Sequence, residues 1–383
     1  MGTRFKDSPM KRICIYCQTW ESGGIEAFIY NILTHIDLSR FEIDVVVDVL
    51  KESVFTADLQ KKDITFIQLS GSQRAFIENL RRFARLMDER EYDVIHLNIF
   101  QALPLIYLQM AKSKGVPVRI AHSHNNMLRK SAARPLKMCL HRIASVLFSR
   151  CATDLWACSD AAARFMFPRA TRKRIPYVFI PNGIDMERFR FDAKEREAMR
   201  KQLHVENSFV IGNIGRLCYQ KNQDFLIDVL AQVKRIIPNA KLLLVGEGEM
   251  LAALQEKADR LGVSADVIFY GTSRSVEKLL WAMDVFAFPS IFEGLGIVAI
   301  EAQAAGLIVI CSSEVPSEVK INDTVRFISL ADTQEWTRAV AKLPVQDRNA
   351  MNIRVSQSCY NISHSAAIVC TAYAQQMSIG EKK

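Results

Sequence analysis

Short apolar runs alternate with helix-period segments along almost the whole chain, and this constrains the fold more than any other feature. Such alternation is the pattern of parallel sheets joined by crossover helices. A first series of runs lies at 12–17, 43–49, 64–69, 94–97, 118–121, 155–158 and 177–180. Helical patterns fall between them, as at 25–36 and 74–90. After a polar helix near 193–203, a second series runs through 209–214, 241–245, 267–270, 285–288, 308–310 and 326–328. Two doubly wound α/β domains in tandem are the economical reading. Their boundary is expected near Pro181-Asn182-Gly183, a turn tripeptide. A last helical pattern spans 360–376, and periodicity does not say which domain it packs on.

Composition narrows the class. At about 100–200 residues per domain, 383 residues make two or three domains. With 49% apolar and 24% charged residues, wholesale disorder is excluded. No stretch reaches the about 18 apolar residues of a membrane span, since the richest, 297–311, is cut by Glu301. The opening MGTRFKDSPMKR has no apolar segment before Lys11, so nothing there marks the chain for secretion. Nine scattered cysteines suit a reducing cytoplasm. Cys14 and Cys17 form a CxxC inside an apolar run, without a second pair or a spaced histidine, and read as core thiols. Charge is localised: residues 1–190 carry a net +10 and the rest −1, and 94–176 holds 14 basic residues against Asp154 and Asp160. Such a patch meets phosphate, whether of nucleic acid, anionic lipid or a phosphorylated substrate. Few aromatics interleave with it to stack on bases, which ranks nucleic acid low.

Three segments carry chemistry. Thr19 to Glu26 (TWESGGIE) follows the first strand, where Gly23 and Gly24 let backbone N–H groups approach an anion at a helix start. A plain strand–helix turn would tolerate the same pair. In the second series, the run ending at Ile214 continues into Gly215-Arg216, with Lys221 five residues on. An Arg and a Lys at the C-terminal end of a parallel strand point into the crevice where such sheets bind ligands. Together they can clamp a diphosphate without a metal.

The strongest constellation is Pro289 to Gly306, in which Glu293 and Glu301 stand eight apart with Gly294 and Gly296 between. A loop-tip carboxylate and a helix carboxylate can accept from sugar hydroxyls. The amides of Gly294-Leu295-Gly296 face the helix start, an oxyanion position. Alanines surround Glu301, and a buried unpaired carboxylate is costly, so a partner is expected for it. Gly246-Glu247-Gly248 imitates a dinucleotide fingerprint but has Leu251 in place of the third glycine, and does not argue for a nicotinamide cofactor. His122 and His124 follow the 118–121 strand. Alternate residues share a face, so both line one wall of the crevice, and no third metal ligand is evident nearby.

GGIE at 23–26, HSHNN at 122–126, PNGID at 181–185, Arg216 with Lys221, VGEGE at 245–249 and E-x7-E at 293–301 stand in a telling order. It is the order found in retaining glycosyltransferases of family 4, and the chain resembles their bacterial capsular and exopolysaccharide branch over nearly its whole length. The resemblance implies the GT-B fold, two Rossmann-like domains facing across a cleft. Residues 1–182 would form the acceptor domain and 183–358 the nucleotide-sugar donor domain, with the helix at 359–383 packing back on the first. By the same resemblance, Arg216, Lys221, Gly23 and Gly24 hold the donor diphosphate. Glu293, Gly294, Leu295 and Gly296 fix the transferred sugar, and Glu301, Gly271 and Thr272 take ribose and base. Glu293 and His124 belong to the catalytic site, with His122 second.

The implied activity is retaining, metal-independent transfer from a nucleotide sugar, uridine by preference, to a lipid-linked or saccharide acceptor in surface polysaccharide synthesis, with no cofactor. Two cations on the leaving diphosphate stabilise its developing charge, and no DxD-like pair sits at a strand end. A double displacement would need a carboxylate nucleophile; the resemblance implies a front-face route instead. Residues 128–150 combine Arg129, Lys130, Arg134, Lys137, Arg142 and Arg150 with Leu136, Met138, Leu140, Ile143, Val146, Leu147 and Phe148, an amphipathic basic helix of the interfacial kind. Arg169, Arg172, Lys173 and Arg174 add a second cluster. The expectation is peripheral contact with anionic lipid at the cytoplasmic face; the alternative is a helix with one face packed and the other solvated. A nucleotide-sugar epimerase of the same architecture, or a non-catalytic binding subunit, are the competing functions. A requirement for an acceptor separates the transferase from the epimerase.

Overall fold

The computed structural model describes residues 10–21, 23–128, 134–344 and 347–374. The chain forms two compact units, one running to Gly183 and resuming at Ile362, the other spanning Ile184–Asn361. Every apolar run singled out in the sequence is a strand. In the first unit these are β1 Lys11–Trp20, β2 Phe41–Leu50, β3 Thr65–Gln68, β4 Val94–Ile99, β5 Val118–Ser123, β6 Asp154–Ala157 and β7 Tyr177–Phe179. They pair in parallel in the order β3-β2-β1-β4-β5-β6-β7. The second unit contains β8 Phe209–Ile214, β9 Ala240–Val245, β10 Val267–Gly271, β11 Val285–Phe288, β12 Ile308–Ser312 and β13 Val325–Ile328. Its order is β10-β9-β8-β11-β12-β13, also parallel. Both are doubly wound Rossmann-like sheets.

Helices cover both faces, so successive residues of a strand enter opposite cores. Along β1, Ile13, Ile15 and Cys17 join one apolar cluster while Cys14 and Tyr16 join the other. The two cysteines of the CxxC therefore point apart, each buried in its own core. Strand order then fixes where ligands can reach. It reverses between β1 and β4 in the first unit and between β8 and β11 in the second. At such points the loops leaving the two strands diverge and open a crevice at their C-terminal ends.

The helix Ile362–Ala374 belongs to the first unit. Ile362, Ala366, Val369 and Tyr373, at helical spacing, enter the cluster that holds Ile13 and Ile15. The Ser365 hydroxyl donates to the Pro181 carbonyl at 2.8 Å. Val369→Asp buries an unpaired carboxylate under β1 and is expected to cost the first unit about 3–5 kcal/mol. Urea titration followed by domain-specific probes will show only the first unit's transition moving to lower denaturant.

Candidate active site

In the second unit, chemistry gathers on the loops after β8 and β11. The Ile291 N–H donates to the Gln220 carbonyl at 2.8 Å. The Gln220 amide donates to the Phe292 carbonyl at 3.0 Å, and that of Asn222 to the Pro289 carbonyl at 3.1 Å. Buried Gln223 holds the Arg216 carbonyl at 3.0 Å. Sequence reading missed these three amides, although the run Gln220-Lys221-Asn222-Gln223 after a strand was a visible polar signal. Their effect is to set Lys221, whose Nζ donates to Glu293 Oε1 at 2.6 Å and lies 4.9 Å from the Phe288 ring centre. The lysine side chain is 18% exposed and the glutamate 7%. A pair this dry is stable only with further hydrogen bonds, and Gln220 supplies one to the other Glu293 oxygen at 3.4 Å.

Arg216 is exposed and forms an ion pair with Glu249, from the loop after β9, at 3.2 Å. Gly294 is half-buried and Leu295 buried. Gly296, at φ +89°, caps the helix Ile297–Ala304, and a Cβ there would stand 2.8 Å from a Phe288 ring carbon. Glycine is the residue that fits. Gly271, which ends β10, accepts the Gly246 N–H at 2.7 Å, and Thr272 is exposed. The Gly246-Glu247-Gly248 segment is a close loop contact, since a Cβ on Gly248 would lie 2.2 Å from the Leu217 carbonyl oxygen.

Glu301 departs from expectation. It is half-buried, and among the described residues no hydrogen bond or ion pair reaches its carboxylate. The buried alanines that surround it have no side-chain donor to offer. Burial pushes its pKa up to about 7, against the pull of Arg188 and with the push of Glu277. Those two form their own ion pair at 2.9 Å.

In the first unit, the helix Gly24–His35 starts directly after β1. Backbone amides of Glu26, Glu21 and Gly23 bond the Glu26 carboxylate, while burial raises that group to about 7. The chain's own carboxylate thus takes backbone donors that the sequence suggested for an anion; Gly24 is exposed, with open space beyond it. The C-terminal ends of β1, β2 and β3 enclose a polar hollow of about 450 Å³, lined by Thr19, Lys51, Ser72, Gln73 and Arg74 among others.

His122 needs a correction. β5 runs on to Ser123, so His122 lies within the strand, between Asn98 of β4 and Trp156 of β6, and is wholly buried. Pairing on both sides extended the strand beyond its apolar run, and His122 lines no open wall. His124 follows the strand, half-buried, with its ring 4.0 Å from that of His122 and its Nε2–H donating to Asn98 Oδ1 at 2.9 Å. Burial lowers its pKa to about 3, opposed by Asn182. His96 on β4 and Tyr373 complete this cluster and were not singled out in the sequence.

The helix Arg134–Phe148 is built in reverse. His141, Ala144 and Ser145 face inward. His141 accepts the Ala102 N–H at 3.1 Å and donates to the Phe165 carbonyl at 3.0 Å, and the Ser145 hydroxyl donates to the Met166 carbonyl at 2.6 Å. Leu136, Leu140, Ile143, Val146 and Leu147 stand outward, the first 65% exposed, among exposed Lys137 and Arg142. Arg134 is half-buried, and Arg129 and Lys130 lie outside the described residues. Among the described residues no three His, Cys, Asp or Glu side chains gather as a metal-holding group, and no helix is long and apolar enough to cross a membrane.

The raised pKa of Glu301 gives a stability test. Its folded value lies above its ordinary one, so the folded state holds the proton more tightly, and that stabilisation is full below 4.5 and lost as pH rises through about 7. Glu301→Gln removes this dependence. Unfolding of the second unit at about pH 5 and about pH 7.5 will show the variant gaining on the wild type at the higher pH.

Residues 22–188 match the family model "Glycosyltransferase Family 4", and residues 194–346 match "Glycosyl transferases group 1". The chain is 27% identical over 357 residues to the putative glycosyltransferase EpsF of Bacillus subtilis (strain 168), across 89% of this chain and 90% of that one. Over 295 residues it is 30% identical to the GDP-mannose-dependent alpha-(1-6)-phosphatidylinositol monomannoside mannosyltransferase of Mycolicibacterium smegmatis, across 72% and 73% of the two. Its fold is similar to that of Anabaena HepE, solved with UDP and glucose, at a TM-score of 0.74 and 21% identity over 94% of this chain and 98% of HepE. One matched model on each of two parallel Rossmann-like sheets identifies an enzyme of GT-B type: the chain belongs to the family 4, group 1 glycosyltransferases.

Proposed function

We propose that the second unit binds a nucleotide sugar, with uridine as its base, and that the enzyme transfers the sugar with retention and without a metal. The acceptor is a lipid-linked saccharide at the cytoplasmic membrane face, in surface polysaccharide synthesis. The observation that carries this reading is the Lys221–Glu293 pair at the β8/β11 reversal, beside the start of the helix Ile297–Ala304. A diphosphate there draws Lys221 and Arg216, which stabilise the charge that develops as the glycosidic bond to phosphate breaks. Glu293 then turns its released oxygen to hydroxyls of the sugar, and unpartnered Glu301 accepts from the ribose. A carboxylate held by Gln220 and turned to the sugar's hydroxyls is poorly placed as a nucleophile on the anomeric carbon. This favours a front-face route in which the acceptor hydroxyl attacks the anomeric carbon and gives its proton to the departing phosphate oxygen. Support for uridine comes from the UDP complex of HepE; the mycobacterial relative is GDP-mannose-dependent, so both bases belong in the test.

The outward apolar stripe on the helix Arg134–Phe148, with basic residues beside it, supports a lipid-facing first unit, because an amphipathic helix binds by buried apolar area plus charge. The Arg174 guanidinium, from the second basic cluster, donates to the Arg150 carbonyl at 2.6 Å and brings that cluster alongside. The phosphatidylinositol-linked substrate in the name of the mycobacterial relative agrees with a lipid acceptor.

Transfer from UDP- and GDP-sugars to lipid extracts is the direct measurement. Lys221→Met is expected to lower kcat/KM by about 10²–10³; no transfer from any nucleotide sugar, or a wild-type rate in the variant, overturns the reading. In a separate assay, Leu140→Glu with Ile143→Glu will abolish co-sedimentation with phosphatidylglycerol vesicles without moving the melting temperature, since neither side chain is buried.

A further inference from the structure

The hollow at the C-terminal ends of β1, β2 and β3 has no part in the chemistry of the second unit. At about 450 Å³ it falls in the size range of small-molecule sites. Thr19, Lys51, Ser72, Gln73 and Arg74 line it, Val49 is its one large apolar residue, and no Asp or Glu belongs to the lining. Two cations and several neutral polar groups therefore share one concave surface at the end of a parallel sheet where ligands can reach.

The loop between β3 and the helix Phe76–Glu89 supplies one side of this hollow, and it is held at many points. Asn79, on that helix and 1% exposed, accepts the Ser70 N–H at 2.9 Å and donates to the Ser72 carbonyl at 3.0 Å. The Arg82 guanidinium donates to the Leu69 carbonyl, and the Gly71 N–H to the Asp48 carbonyl, each at 2.9 Å. The Gln73 amide donates to the Thr19 hydroxyl and ties the loop to β1. A loop fixed in this way meets a ligand already ordered. Its cations are also available. Among the described residues no hydrogen bond or ion pair reaches the Arg74 guanidinium, whose backbone N–H alone is bonded, to Ser72 Oγ at 3.2 Å. Lys51 Nζ donates to Glu21 Oε2 at 2.8 Å, but both side chains stand half in solvent, and such a pair is weak enough to exchange for a ligand.

We propose that this hollow binds the phosphate of a phosphate-bearing saccharide acceptor, with Arg74 and Lys51 on the phosphate oxygens and Thr19 and Gln73 beside them. The inference rests on the proposed transfer to a saccharide, and it names the anionic group by which the first unit holds that acceptor. Arg74 offers a planar fork of donors and Lys51 a point charge, a set that suits phosphate. Two cations match the nearly double charge of a phosphate monoester or a diphosphate better than the single charge of a uronic acid. A phosphate fills only part of the volume, and the rest admits a sugar ring. The same chemistry is present in a free sugar phosphate and in the phosphate that joins a saccharide to a lipid.

The test is calorimetric titration of the full chain with inorganic pyrophosphate in saturating UDP or GDP, so that the second unit is already occupied. One further site is expected. Arg74→Gln and Lys51→Gln, both at exposed positions, are each expected to raise its Kd about tenfold while the nucleotide Kd stays within about twofold. No further site in the wild type, which needs no variant to fold, overturns the proposal. Equal affinity in both variants overturns it too, and so does glucuronate binding as tightly as glucose 1-phosphate. Transfer assays then separate the two sources. Arg74→Gln is expected to raise the apparent acceptor KM about tenfold at unchanged donor KM, with glucose 1-phosphate if the acceptor is a free sugar phosphate and with lipid extract alone if it is lipid-linked. An unchanged acceptor KM in both overturns the proposal. If no nucleotide sugar supports transfer at all, the proposed function falls, and the pyrophosphate titration still decides whether the hollow binds phosphate.

Discussion

A parallel sheet covered by helices on both faces has no free surface of its own, and this governs where the enzyme can do chemistry. Side chains along the strands are committed to packing, so reactive groups must come from the loops at the C-terminal strand ends. The second unit obeys this closely: Lys221, Glu293, Arg216 and Glu249 all stand on such loops, and the polar residues 220–223 brace one loop on the next. The first unit departs from the rule, at Asp44 and Asp48 inside β2 and again on β4 and β5. His96, Asn98 and His122 lie inside β4 and β5. Polar groups there carry a desolvation cost unless they bond one another, and the contacts from Tyr373 and between the imidazoles offset part of it.

The strands were legible because burial on both faces demands unbroken apolar runs, and these stand out whatever lies between them. The charged residues on the second unit's loops were legible as types at strand ends: an Arg and a Lys after β8, two carboxylates around β11 and the helix that follows. What sequence could not give is who bonds whom. Lys221 and Glu293 are 72 residues apart, and His96 and Tyr373 are 277 apart. Neither pairing leaves a periodic trace. Glu301 shows the converse: its apolar neighbours were read as forcing a partner on it, whereas they are the reason the protein supplies none.

The helix Arg134–Phe148 illustrates a different limit. Its sequence announces two faces, and hydrophobicity alone would turn the leucines inward. The inward side instead carries a histidine and small residues whose hydrogen bonds to Ala102, Phe165 and Met166 hold the helix in place. Polar specificity outranks apolar burial there because the receiving surface offers backbone groups that would otherwise lack partners.

The charged loops of the second unit have a further property that concerns distance. Lys221 is 2.6 Å from Glu293, and Arg216 is 3.2 Å from Glu249, so each cation arrives with its own counter-charge. Seen from beyond about 8 Å, the Debye length at physiological salt, each pair is a small dipole with almost no net field. On the proposed reading an anionic donor is therefore not drawn in from afar by these residues. It would be recognised at contact, by displacing a carboxylate from a lysine, and ionic strength would have little hold on that exchange. Affinity in such a site would be the difference between two ion pairs rather than the strength of one.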